Sequence, residues 1–143
     1  MDDSDSQGPA SVQRPARTNR QRNSVTTDAH TKQFAHYIEQ WQSKLNLGDW
    51  RIEPSGKPAD KGAMAQVVIS HEDRLAVWFF GSSFGAQEPT AEAIERTAIH
   101  ELLHVRLAEF KEACVSRDAQ RIEQIEHGLI TIFERLLYRG KHS

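Results

Sequence analysis

Cysteine is almost missing from this chain: Cys114 stands alone among 143 residues, which excludes an internal disulfide and fits a reducing compartment. Also missing is any apolar run near the ~20 residues that a bilayer span requires. The start is acidic (Asp2, Asp3, Asp5) and no apolar h-region follows it, so no secretory leader is expected and the cytoplasm is the expected location. Charge of one sign is lacking too. With 18 basic and 20 acidic residues the formal net charge is −2, which gives no general pull toward nucleic acid or a membrane surface. Hydrophobic residues make up 38%, slightly low for a globular chain, and the deficit lies at the front.

Residues 1–28 are rich in Ser, Gln, Pro, Asp and Arg, with Val12 and Val25 as apolar side chains. Such a segment buries too little surface to offset its ordering entropy, so a disordered tail is expected, followed by one domain over 29–143. Arg14, Arg17, Arg20 and Arg22 make part of the tail basic. A nucleic-acid contact through them is the alternative to a solvated linker.

Apolar periodicity then sets the order of elements. Phe34, Ile38, Trp41 and Leu45 recur on one helical face, predicting a helix over 31–47 with Gly48 as its stop. Asp49 to Glu53 alternates polar and apolar, reads as a strand, and is closed by Pro54. Ala63–Ser70 and Arg74–Phe80 read as two further strands of an antiparallel hairpin. Thr90 can cap a second helix that reaches about Phe110 and carries apolar residues on most sides, so it is expected to be central. A third helix is expected over 116–138. Trp41, Trp50 and Trp78 read as core, and Cys114 as a small buried or half-buried residue.

The chemistry sits in His100-Glu101-Leu102-Leu103-His104, an HExxH pattern on the second helix. Residues four apart share a helix face, so both imidazoles can reach one zinc ion. Glu101 lies about 100° further round the helix, beside the metal and not on it, where it can take a proton from a zinc-bound water. Two histidines and a glutamate in an apolar helix are costly without partners, and a metal supplies them.

Catalytic zinc usually takes three protein ligands plus water. The candidates lie in the third helix, whose apolar face is set by Ile122, Ile125, Leu129, Ile132, Phe133 and Leu136. Glu126 falls about 40–50° from the centre of that face, Glu123 about 100° and His127 about 140–150°. An inward carboxylate needs a cation, so Glu126 is the expected third ligand, with Glu123 and His127 as alternatives.

Together these residues resemble the small zincin-type metallopeptidases, many encoded by phages and prophages, related to the ImmA/IrrE-like class. The resemblance covers about residues 31–140 and rests on Leu47-Gly48-Asp49-Trp50-Arg51-Ile52, the two-strand segment, Thr97 to His104, and the helix ending Glu134-Arg135-Leu136-Leu137. Only HExxH is highly specific. The resemblance implies an α+β zincin-like fold: an N-terminal helix, a small three-stranded antiparallel sheet, an HExxH helix and a following ligand helix. It also implies zinc held by His100, His104 and Glu126, Glu101 as catalytic base, a peptide or protein substrate, and a bacterial host cytoplasm if the chain is phage-encoded. Relatives often carry two adjacent acids where this chain has Glu126-His127. Zincins commonly bind substrate as an added strand on a sheet edge, and Arg74–Phe80 is the expected edge. SprT-like proteases use a third histidine, which His127-Gly128 resembles, but His127 falls on the outward side of its helix. A non-catalytic, zinc-stabilised binding module is a further rival, against which Glu101 argues, because a structural zinc has no use for a general base.

Overall fold

The computed structural model describes residues 24–142. Its order is α1 (Asp28–Lys44), β1 (Arg51–Pro58), β2 (Ala65–Ser70), β3 (Leu75–Phe80), α2 (Ala91–Ser116) and α3 (Ala119–His142). The chain is α+β, as expected, and among the described residues no helix is long and apolar enough to cross a membrane.

Helix α1 starts three residues earlier than its apolar pattern because Thr27 caps it. The Thr27 side chain accepts from the His30 N–H while the His30 ring accepts from the Thr27 N–H, a reciprocal box that satisfies two orphan donors. Residues 24–27, assigned above to the tail, pair with the loop after β3. Ser24 N–H donates to Gly85 O at 2.8 Å, Phe84 N–H to Ser24 O at 2.9 Å, and Thr26 N–H to Ser82 O at 3.0 Å. Residues 24–28, expected in the tail, are thus held in the described fold, and the expectation of disorder for residues 1–23 lies outside the described residues. On the other side of the same loop Gly81 N–H donates to Met64 O at 2.8 Å, an approach only glycine allows, since a Cβ there would collide with the carbonyl oxygens of Ala63 and Met64.

The sheet order is β1-β3-β2, with β3 antiparallel to β2 and parallel to β1. The expected all-antiparallel sheet is thus corrected to a mixed one, and β3 is its central strand. Local alternation identifies a strand but not its neighbour, and here β1 pairs with β3 across the intervening hairpin partner. Pro54 does not end β1, because an edge strand tolerates a missing donor; the register shifts instead between Pro54 and Pro58. The edge available beside α2 is β2, not Arg74–Phe80.

Phe34 and Ile38 of α1 and its C-cap Leu45 join Trp78 and Phe80 of β3 and Ile94, Ala98, Leu102 and Val105 of α2 in one core. Phe34 meets Trp78 edge-on at 5.0 Å between ring centroids. Trp50 and Trp78 are buried, and Trp41 is half-buried with its indole N–H donating to Glu95 at 2.8 Å. The stretch from Leu47 to Trp50 is a structural clamp. Gln42 donates to the carbonyls of Leu47 and Trp50, Asp49 pairs with Arg74 at 2.8 Å, and Arg74 pairs with Glu109 of α2 at 3.0 Å. That clamp locks the register of α2 against the sheet.

Candidate metal centre

Helix α2 carries Ile94, Ala98, Leu102 and Val105 on its core side, and this fixes where the motif points. His100 and His104, one turn apart, emerge on the solvent side with ring centroids 5.0 Å apart and planes at 77°. Neither imidazole has a hydrogen-bond partner among the described residues. Glu101 lies between this face and the core and is 8% exposed. Burial raises its carboxyl above the ordinary carboxylate value, and the nearby His100 and His104 pull it part of the way back. A carboxylate raised by desolvation is a better proton acceptor than a free one, which suits a general base.

Three clefts border the motif and overlap end to end. The first is lined by Ala63, Met64, Ala65, Gln87, Arg96, Thr97, His100 and Glu101. A second holds Ala65 to Ile69 with His100, Glu101 and His104, and the third continues from Ile69 and His104 to His71, Leu107 and Val115. Shared lining residues make them one groove between α2 and edge strand β2. The motif sits midway along it.

The third helix is placed differently from its expected role. Leu129 and Ile132 are its buried residues, Ile122, Ile125 and Leu136 are half-buried, and Glu126, Glu123 and His127 are all exposed. Phe133, counted above in the apolar face, is itself exposed. The buried and half-buried residues Ile122, Ile125, Leu129, Ile132 and Leu136 centre about 80° from Glu126. Among the described residues no three His, Cys, Asp or Glu side chains are grouped so as to hold a metal ion, and no α3 residue lines the groove. The structure therefore brings together His100, His104 and Glu101 and does not bring Glu126 to them. Two unpartnered imidazoles on one helix face fit two nitrogen positions of a zinc site; the third protein position is not assembled.

Two groups, one lining the groove and one touching its lining residues, were not singled out by sequence reasoning. Arg121 of α3 reaches Glu112 at 3.1 Å and approaches His71 at 3.5 Å, tying the start of α3 to the turn after β2. Nothing local in the sequence signals that contact, because it joins residues 50 apart. Arg96 lines the opposite end of the groove, exposed. Cys114 is exposed where a buried or half-buried residue was expected. No family model, no curated protein and no solved structure matches the chain.

Proposed function

We propose that this protein is a zinc-dependent metallopeptidase that hydrolyses peptide bonds in the groove between α2 and β2. One observation carries the reading: two unpartnered histidines and a buried glutamate open together onto a groove whose far wall is an unpaired strand edge. His100 and His104 would hold the metal, and the third ligand, Glu126 with Glu123 and His127 as its alternatives, would have to be carried to them by a shift of α3, since none of the three lines the groove. Zinc bound there would polarise the scissile carbonyl and lower the pKa of its water toward about 7. Glu101 accepts the proton of the attacking water and delivers it to the leaving amine. The free edge of β2 holds the peptide backbone extended through main-chain hydrogen bonds, which positions the scissile bond without demanding a particular side chain.

Metal content of tag-free protein, measured for the wild type, His104→Ala and Glu126→Ala, tests the site, and cleavage of a mixed peptide library by wild type and Glu101→Gln tests the activity. The expected result is one zinc per chain in the wild type and none in His104→Ala. Zinc retained in Glu126→Ala moves the third ligand to Glu123 or His127. Cleavage is expected to fall by at least about 10²-fold in Glu101→Gln with its zinc retained. A wild type that takes up no zinc on reconstitution sinks the proposal, and zinc bound without any cleavage favours the non-catalytic module.

A further inference from the structure

The groove differs from end to end. Beyond His104 its walls are Ile69, Leu107, Ala108 and Val115, and Leu107 and Val115 stand exposed. Apolar side chains left open in a cleft mark a place where an apolar group of a ligand displaces water. Cations stand toward the two ends. Arg96 lines the end before His100, and Lys111 the end beyond His104. Both are exposed, and among the described residues neither has an ion pair or a hydrogen bond. The acids of the lining are engaged or enclosed. Glu112 pairs with Arg121 at 3.1 Å, the Asp60 carboxylate accepts from Gln66 at 2.9 Å, and Glu101 is buried. Two cations with free donors, and no lining acid left to neutralise them, make the groove complementary to carboxylates.

Spacing and direction follow from the two walls. A helix rises about 1.5 Å per residue, so along α2 Leu107 lies about 6 Å from Lys111 and about 16 Å from Arg96. An extended chain advances about 3.4 Å per residue, which makes these gaps about two and about five peptide residues. Strand β2 runs in the same sense as α2, from Ala65 beside Arg96 and His100 to Ile69 beside Leu107. A segment added to its free edge in the more stable antiparallel pairing has its N-terminal end at Lys111 and its C-terminal end at Arg96.

We infer that the groove selects an extended peptide segment that reads, from N- to C-terminus, an acidic residue, a large apolar residue about two positions on, and a second acidic residue about five positions after that. Ile69, Leu107 and Val115 receive the apolar side chain, while Lys111 and Arg96 receive the two carboxylates. The pattern rests on the peptide-binding part of the metallopeptidase reading and needs no metal, because every contact comes from side chains and a strand edge already in place.

The probe is a fluorescein-labelled decapeptide of Ser, Gly and Thr with Asp second, Leu fourth and Asp ninth. Its fluorescence anisotropy is followed as full-length protein is added in chelator. The expected result is saturable binding that Leu107→Asp weakens at least about tenfold and that Ile130→Asp, on the open face of α3, leaves unchanged. Arg96→Glu and Lys111→Glu are each expected to weaken it by about three- to tenfold, with losses that shrink as salt is raised. An unlabelled peptide of reversed sequence, and one with both Asp replaced by Asn, should compete at least about tenfold more weakly than the unlabelled parent. Absence of saturable binding, or equal competition by all three peptides, overturns the selection. Chelated protein that binds the decapeptide as expected, while zinc-reconstituted protein cleaves nothing, upholds the selection and sinks the peptidase. A mixed peptide library cut without enrichment for this pattern upholds the peptidase and overturns the selection.

Discussion

The two long helices contrast in how they are held. Helix α2 is enclosed through its first two-thirds: Leu102 is 1% exposed and Val105 0%, with α1 on one side and β2 on another. Helix α3 is nearly as long, yet packs on α2 alone among the larger contacts, and leaves Ile130 55% and Leu137 75% exposed. The two histidines and Glu101 belong to the enclosed helix, whereas Glu126 belongs to the loosely covered one. In the metal site proposed above, two of the three ligands would lie on the well-held helix and one on the loosely covered one. The difference makes α2 the element on which stability of the described fold rests most heavily.

Paired truncations break that contrast most directly. Leu102→Ala removes a fully enclosed side chain whose surroundings cannot collapse freely, and is expected to cost about 3 kcal/mol. Leu137→Ala, on the open face of α3, should change stability by no more than about 0.5 kcal/mol. Urea unfolding of both variants checks the pair. Equal losses would show that α3 is covered in solution and that the contrast is not real.

The ion-pair clamp offers a smaller effect within the enclosed region. Glu109 receives both Arg74 at 3.0 Å and Arg106 at 3.8 Å, and the Arg106 Nε already lacks a partner. Glu109→Ala leaves two guanidinium groups facing one another, at an expected cost of about 1–2 kcal/mol after allowing for the partial exposure of Arg74. If 1 M salt weakens the wild type by as much as the substitution does, the clamp acts as a screened surface pair and not as a buried lock.

What the sequence disclosed divides along the same line. Phe34, Ile38 and Leu45 announced the inner face of α1, and Thr90 the start of α2, because a helix's period and caps are local. The HExxH face was legible for the same reason: four residues on one helix settle a shared direction without reference to the rest of the fold. Sheet order was not legible, since β1 finds β3 through a parallel pairing that leaves no mark on Asp49 to Glu53. The placement of Glu126 also escaped, because helical phase gives a direction on α3 but not which surface α3 packs against. Hydrophobicity marks a residue as able to be buried, and only the neighbouring surface decides whether it is; on α3 that surface ends at Ile132 and Leu136.

Glu101 gives the finest test of the contrast, because its carboxyl is raised by burial in the enclosed helix. In the metal-free protein the folded state holds the Glu101 proton more tightly than the unfolded chain does. The contribution of this group to stability is therefore fully present below the ordinary glutamate range near 4.5 and is lost as pH rises through the raised folded value. Glu101→Gln removes the buried charge, so at pH 7 and in chelator its thermal midpoint should exceed that of the wild type, with the advantage shrinking as pH falls below that range. Glu126→Gln, at an exposed position on α3, should change stability at pH 7 by no more than about 0.5 kcal/mol. Thermal scans in chelator across pH 4 to 8 measure both. A Glu101→Gln variant less stable than the wild type at pH 7 would mean that the carboxylate is held by a partner and not merely desolvated, and that its freedom to take a proton from water is restricted before any metal binds.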